Sequence, residues 1–126
     1  MKRLAIAIAF FMTACLLCVG GYFILKDTNE DLDNLLTESI TCAQHQDIQG
    51  LEASNARLMQ KWNQSELIFS VMLQHSHLDD FERRIQMLDY YFAQGDYEKY
   101  IETSQEARNE LTHIMESERL SLGNIF

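Results

Sequence analysis

The residues of this chain best suited to chemistry are its four histidines, one of which has a carboxylate at ligand spacing. His75 and Asp79 stand four residues apart, so on a helix both project from one face, and His113 can approach from an antiparallel neighbour. A borderline cation such as zinc accepts imidazole and carboxylate together, which makes His75, Asp79 and His113 a weak candidate metal set. His77 is turned about 200° from His75 on a helix and does not join it. The preferred reading of the same residues is blander: a polar layer between helices, with a histidine hydrogen-bonded to a carboxylate.

The thiols offer little more. Cys15 and Cys18 have the spacing of a redox or metal motif, but they fall within an apolar helix, where a thiol is a small hydrophobe. Cys42 is the lone cysteine of the remainder and has no internal disulfide partner there, and its neighbour His45 is an i,i+3 pair of a kind that arises readily. The sequence has no His-Glu-x-x-His stretch, phosphate loop, dinucleotide glycine pattern or nucleophile elbow. Asn63-Gln64-Ser65 fits a glycan acceptor but falls inside a helical pattern. The expectation is a protein with no catalytic residues and no cofactor.

The element around which the rest is arranged is Leu4–Leu25, 22 residues (4–25) without a charge, flanked by Lys2 and Arg3 before and Lys26 and Asp27 after. As a helix it reaches about 33 Å, enough for a hydrocarbon core of roughly 30 Å. A cleaved signal ending at Cys18-Val19-Gly20 and a lipid anchor at Cys15 are the alternatives, and both conflict with the apolar run through Gly21-Tyr22-Phe23-Ile24-Leu25. The cations place the amino terminus in the cytoplasm and the rest outside the cell membrane. The expected organisation is a stub (1–3), a transmembrane signal-anchor (4–25) and an extracytoplasmic domain (27–126). Small residues at Ala5, Ala9 and Thr13 are compatible with a homodimer in the bilayer.

From Asp27 onward lie all 19 acidic residues but only seven of the ten Lys and Arg, a formal charge of -12. Such a domain repels phosphate, so nucleic acid is excluded as a partner. The apolar content is enough for a core, and the pattern is helical throughout. Leu32, Leu35, Leu36, Ile40 and Ala43 mark a first outer helix that fades at Gln44-His45-Gln46-Asp47 and is nearly continuous with the span. From Ile48 or Leu51 to Phe92 the inward set is Leu58, Trp62, Phe69, Leu73, Phe81, Ile85, Leu88 and Phe92. The absence of proline, and of glycine after Gly50, favours one long helix; a break near His75-Ser76-His77, with Ser76 and Asp79 forming a cap, is the alternative. Leu67-Ile68-Phe69 and Val71-Met72-Leu73 are apolar all round, as where a helix is covered from two sides.

Gln94-Gly95-Asp96 reads as a turn, with Gly95 in a left-handed conformation and Asp96 capping a last helix from Tyr97 to about Arg119. That helix turns Tyr100, Ile101, Ser104, Ala107, Leu111, Ile114 and Met115 inward and the row Glu98, Glu102, Glu106 and Glu110 to solvent. The fold class is all-α: a transmembrane helix followed by an antiparallel bundle of three long helices, four if the middle one breaks, with coiled-coil-like seams. Tyr90, Tyr91, Tyr97 and Tyr100 cluster about the Gly95 turn and form a candidate contact tip for a protein partner, against ordinary interface packing.

The end of the chain, Leu111-Thr-His113-Ile-Met-Glu116-Ser-Glu118-Arg-Leu-Ser-Leu-Gly-Asn124-Ile-Phe126, together with the Trp62 segment and the His75…Asp79 helix, resembles the bacterial family called domain of unknown function 4363. Its members resemble small Gram-positive (Firmicutes) proteins with an amino-terminal membrane segment and a helical remainder. The resemblance implies location and fold and brings no activity. The reading at this level is a non-enzymatic, membrane-anchored helical protein acting through protein contacts or as a structural accessory. The alternative is a surface module that binds a metal or small ligand.

Overall fold

The computed structural model describes the backbone of residues 1–72 and 75–125 and the side chains of residues 1–71 and 78–117. Four helices account for it: α1 (Lys2–Gln44), α2 (Ile48–Met72), α3 (His75–Gln94) and α4 (Tyr97–Ile125). The span and the first outer helix are one unbroken helix of 43 residues. Its first half is an exposed apolar rod, and burial begins at Leu25.

From that point a three-four spacing of buried residues sets the packing. Leu25, Asn29, Leu32, Leu36, Ser39, Ile40 and Ala43 of α1 are buried, as are Leu51, Asn55, Leu58, Trp62, Ser65 and Phe69 of α2. Leu78, Phe81, Ile85 and Leu88 of α3 and Tyr100, Ser104, Ala107, Leu111 and Ile114 of α4 complete the interior. Such spacing holds one face toward a partner over several turns, as in helical bundles. Contacts fix the directions. Glu38 and Asp31 of α1 meet Arg57 and Lys61 of α2, Asp33 meets Arg108 of α4, and Arg84 of α3 lies across Glu106 and Glu110 of α4. Residue numbers fall on α1 as they rise on α2 (38 to 31 against 57 to 61) and on α4 (Asp33–Arg108, then Asn29–Leu111), and the two-residue turn between α3 and α4 sets that pair antiparallel, so the bundle runs up, down, up, down. α1 packs closely on both α2 and α4, α3 on α4, and α2 and α3 are less intimate.

The single long helix over 48–94 does not form. α2 and α3 are separate and antiparallel, with Trp62 against Phe81 at 5.0 Å between ring centroids. The reason is burial. The outer half of α1 offers about 30 Å of apolar face, whereas one helix across 48–94 would extend about 70 Å and leave much of its stripe without a partner. The proposed Ser76 cap lies outside the described side chains, as does Leu73 of the inward set.

Both turns at the far end of the bundle have identifiable chemistry. Gly95 takes φ 72°, and the Asp96 carboxylate accepts from the Lys99 N–H at 3.2 Å, so the expected turn and cap are present. At the first turn Gln46 takes φ 57°, and Asp47 caps α2 by accepting from the Gly50 N–H at 3.0 Å. A Cβ at residue 50 would collide with the Asp47 carboxylate and touch Cys42 Sγ, which explains a glycine in the first turn of a helix.

Three further expectations change. Leu67 and Val71 are not covered from two directions but exposed, at 73% and 75%. The glutamate row of α4 does not face solvent along its whole length, because Arg84 reaches Glu106 and Glu110 at 3.7 and 3.6 Å across the α3–α4 seam. Finally, α4 stays helical to Ile125 instead of ending near Arg119.

Candidate functional site

Of the candidate metal set, Asp79 and His113 are both solvent-exposed, and the side chains of His75 and His77 lie outside the described residues. Among the described residues no three His, Cys, Asp or Glu side chains converge as a metal cage would require. Cys15 and Cys18 sit on the α1 rod, and Cys42 is half-buried against the core next to Gly50; all three are free thiols. His45, its sequence neighbour, is exposed at the end of α1.

The four tyrosines of the far tip divide sharply. Tyr90 is 59% exposed and meets Tyr91 edge-on at 5.7 Å. Tyr91 and Tyr97 are half-buried, packed on the core. Tyr100 is fully buried, and its hydroxyl donates to Asn55 Oδ1 at 2.9 Å. A partner meeting this tip therefore meets Tyr90 and the edges of Tyr91 and Tyr97, with Tyr100 withdrawn into the bundle.

Tyr100 belongs to a polar crossing that spacing alone did not single out. Asn55 Nδ2 donates to Asp89 Oδ1 at 3.2 Å, so α4, α2 and α3 are linked through one amide, and Ser39 of α1 is also buried beside the phenol. Burial pushes the Tyr100 pKa up to about 12; the Ser39 hydroxyl opposes the shift, and the Asp89 carboxylate and Cys42 thiol add to it. The signal that could have found this layer is Asn55 itself, a polar residue in the step Leu51, Asn55, Leu58, Trp62. A polar group at such a position fixes register and partner order, because every misaligned packing leaves it unpaired.

A concave feature lies at the other end, between α1 and α4. It is an open groove of about 950 Å³, lined by Tyr22, Lys26, Asn29, Glu30, Asp33 and Asn34 of α1 and by Gln105, Arg108, Asn109, Thr112, Met115 and Glu116 of α4. Much of its hydrogen-bonding capacity is already used within the protein. Arg108 Nε donates to Asp33 Oδ1 at 2.9 Å, and Asn29 Nδ2 donates to the Leu111 carbonyl at 3.2 Å. The groove thus offers polar groups of both signs on a helix seam that the same groups hold together.

One helix among the described residues, α1, is long and apolar enough to cross a membrane, and none of its most apolar 18-residue stretch is buried. No curated protein and no solved structure matches the chain. Residues 19–125, which take in the upper end of the α1 rod and the whole described bundle, match the family model described as Domain of unknown function (DUF4363), and the chain belongs to that family.

Proposed function

We propose that this protein is a membrane-anchored helical module that works by protein contact or as a structural accessory at the cell surface, without catalysing a reaction. The observation that carries the reading is α1: an exposed apolar rod that passes without interruption into the core of an acidic bundle. A rod of that length left in water would expose a row of Phe, Leu and Ile side chains, and a bilayer covers them. Lys2 and Arg3 favour an orientation with that end in the cytoplasm and the bundle outside. The surface for a protein partner is the far tip at Tyr90, Tyr91 and Tyr97, opposite the membrane.

Protease added to intact protoplasts tests the topology. Digestion of the region after Lys26, with the undigested protein in the membrane pellet at full mass, is the expected result. Protection of that region refutes the orientation, and a soluble species beginning near Gly21 identifies residues 4–20 as a processed signal instead. For the tip, capture of a specific membrane companion is expected to fail when Tyr91 and Tyr97 are both replaced by serine; unchanged capture removes the tip from the reading.

The groove between α1 and α4 favours a second reading, a surface module for a small ligand or metal. Its test is the melting temperature of the detergent-solubilised full chain with and without zinc, and a rise with stoichiometric bound metal would favour it.

A further inference from the structure

We propose that the base of the bundle is itself a lipid-contacting surface, with Leu67 and Val71 of α2 seated in the headgroup and upper acyl region of the bilayer that α1 crosses. The proposal rests on the membrane anchoring argued above.

The register places these side chains. Equal steps along two antiparallel helices from the Lys61–Asp31 and Arg57–Glu38 bridges bring Leu67 level with residues 25–28 of α1 and Val71 level with residues 21–24. Both are thus at the height where the apolar rod of α1 enters the bundle. α4 also reaches this part of α1, where Met115 and Glu116 share the groove with Tyr22 and Lys26.

The outward stripe of α2 changes character at this height. Gln60, Gln64, Leu67 and Val71 follow one another at helical spacing on one exposed face. The stripe is polar down to Gln64 and apolar at Leu67 and Val71, which are 73% and 75% exposed. The change coincides with the height at which the apolar rod of α1 enters the bundle. A second copy of the chain is a poorer occupant, because a stable protein interface buries about 800 Å² per partner, and this patch is one stripe two residues long. Leu25 is fully buried in the bundle, whereas Phe23 and Ile24 just beneath it are 58% and 53% exposed, so the bilayer boundary falls at this height.

The test places one thiol at a time on the stripe of the full chain. With Cys15→Ala, Cys18→Ala and Cys42→Ala as background, Gln60→Cys, Leu67→Cys and Val71→Cys are each labelled with an environment-sensitive fluorophore. All three sites are exposed or outward-facing, so labelling leaves the core intact. The labelled chains are reconstituted in phosphatidylcholine–phosphatidylglycerol vesicles carrying a shallow doxyl-lipid quencher. Expected are blue-shifted emission at 67 and 71 and quenching by the doxyl lipid at least about twofold stronger than at 60, as for side chains in the headgroup–acyl boundary. Water-like emission at all three sites, in vesicles that float with the protein, overturns the lipid contact and leaves the anchoring standing. Blue-shifted emission without doxyl quenching also overturns it and assigns the patch to a second copy. Failure of the chain to float with the vesicles overturns the anchoring and the lipid contact together.

Discussion

Tyr100→Phe deletes one atom from the polar crossing and has an effect on stability whose size depends on pH. The phenol is fully buried and its hydroxyl donates to Asn55 Oδ1, so at neutral pH the variant loses that bond and leaves the amide oxygen short of a donor, at a cost of about 1–3 kcal/mol. The pKa of Tyr100 is raised from 10.0 to about 12, so the folded state favours the protonated phenol. The corresponding stability is complete below the unfolded value, declines as pH passes it, and is lost once pH exceeds the folded value. Between those two values each step of one in pH removes about 1.4 kcal/mol, so by pH 11 the wild-type chain gives up about 1.4 kcal/mol through this group, whereas the Phe variant has nothing to titrate. The gap between the two proteins therefore narrows between pH 9 and pH 11. Trp62, the only tryptophan, sits in the core and reports unfolding of the detergent-solubilised chain in urea by its emission. Parallel pH profiles for the two proteins, with a constant gap, would show that Tyr100 is not held as its burial implies.

Trp62→Ala removes the centre of the aromatic cluster with Phe69 and Phe81 at 5.7 and 5.0 Å, and is expected to lower the unfolding free energy by about 3–5 kcal/mol. Here circular dichroism replaces fluorescence as the probe, and a loss below about 1 kcal/mol would contradict the buried packing. Asp47→Ala removes the cap on α2 and should cost about 1 kcal/mol. Arg57→Ala, which breaks a solvent-exposed bridge to Glu38, should cost under about 0.5 kcal/mol; the reverse order in urea midpoints would argue against the cap.

The local features of this fold are legible along the chain because they depend on neighbours within one or two turns. Gly95 and Asp96 specify their turn and cap by backbone conformation and a carboxylate three residues from an N–H. The stripes from Leu32 to Ala43 and from Tyr100 to Met115 give helix type and inward face through period alone, and the uncharged run Leu4–Leu25 gives the rod through composition. What period cannot give is which helix lies opposite which. Nothing between Phe69 and Phe81 breaks a helix by propensity, yet the chain reverses, because α2 and α3 bury their stripes better against each other and against α1 and α4 than end to end. The same dependence on a partner withdraws Tyr100 from the tip into a bond with Asn55 and brings Arg84 to Glu106 and Glu110. It also leaves Leu67 and Val71 bare at the level of the rod. Burial is a relation between two surfaces, and only tertiary packing supplies the second.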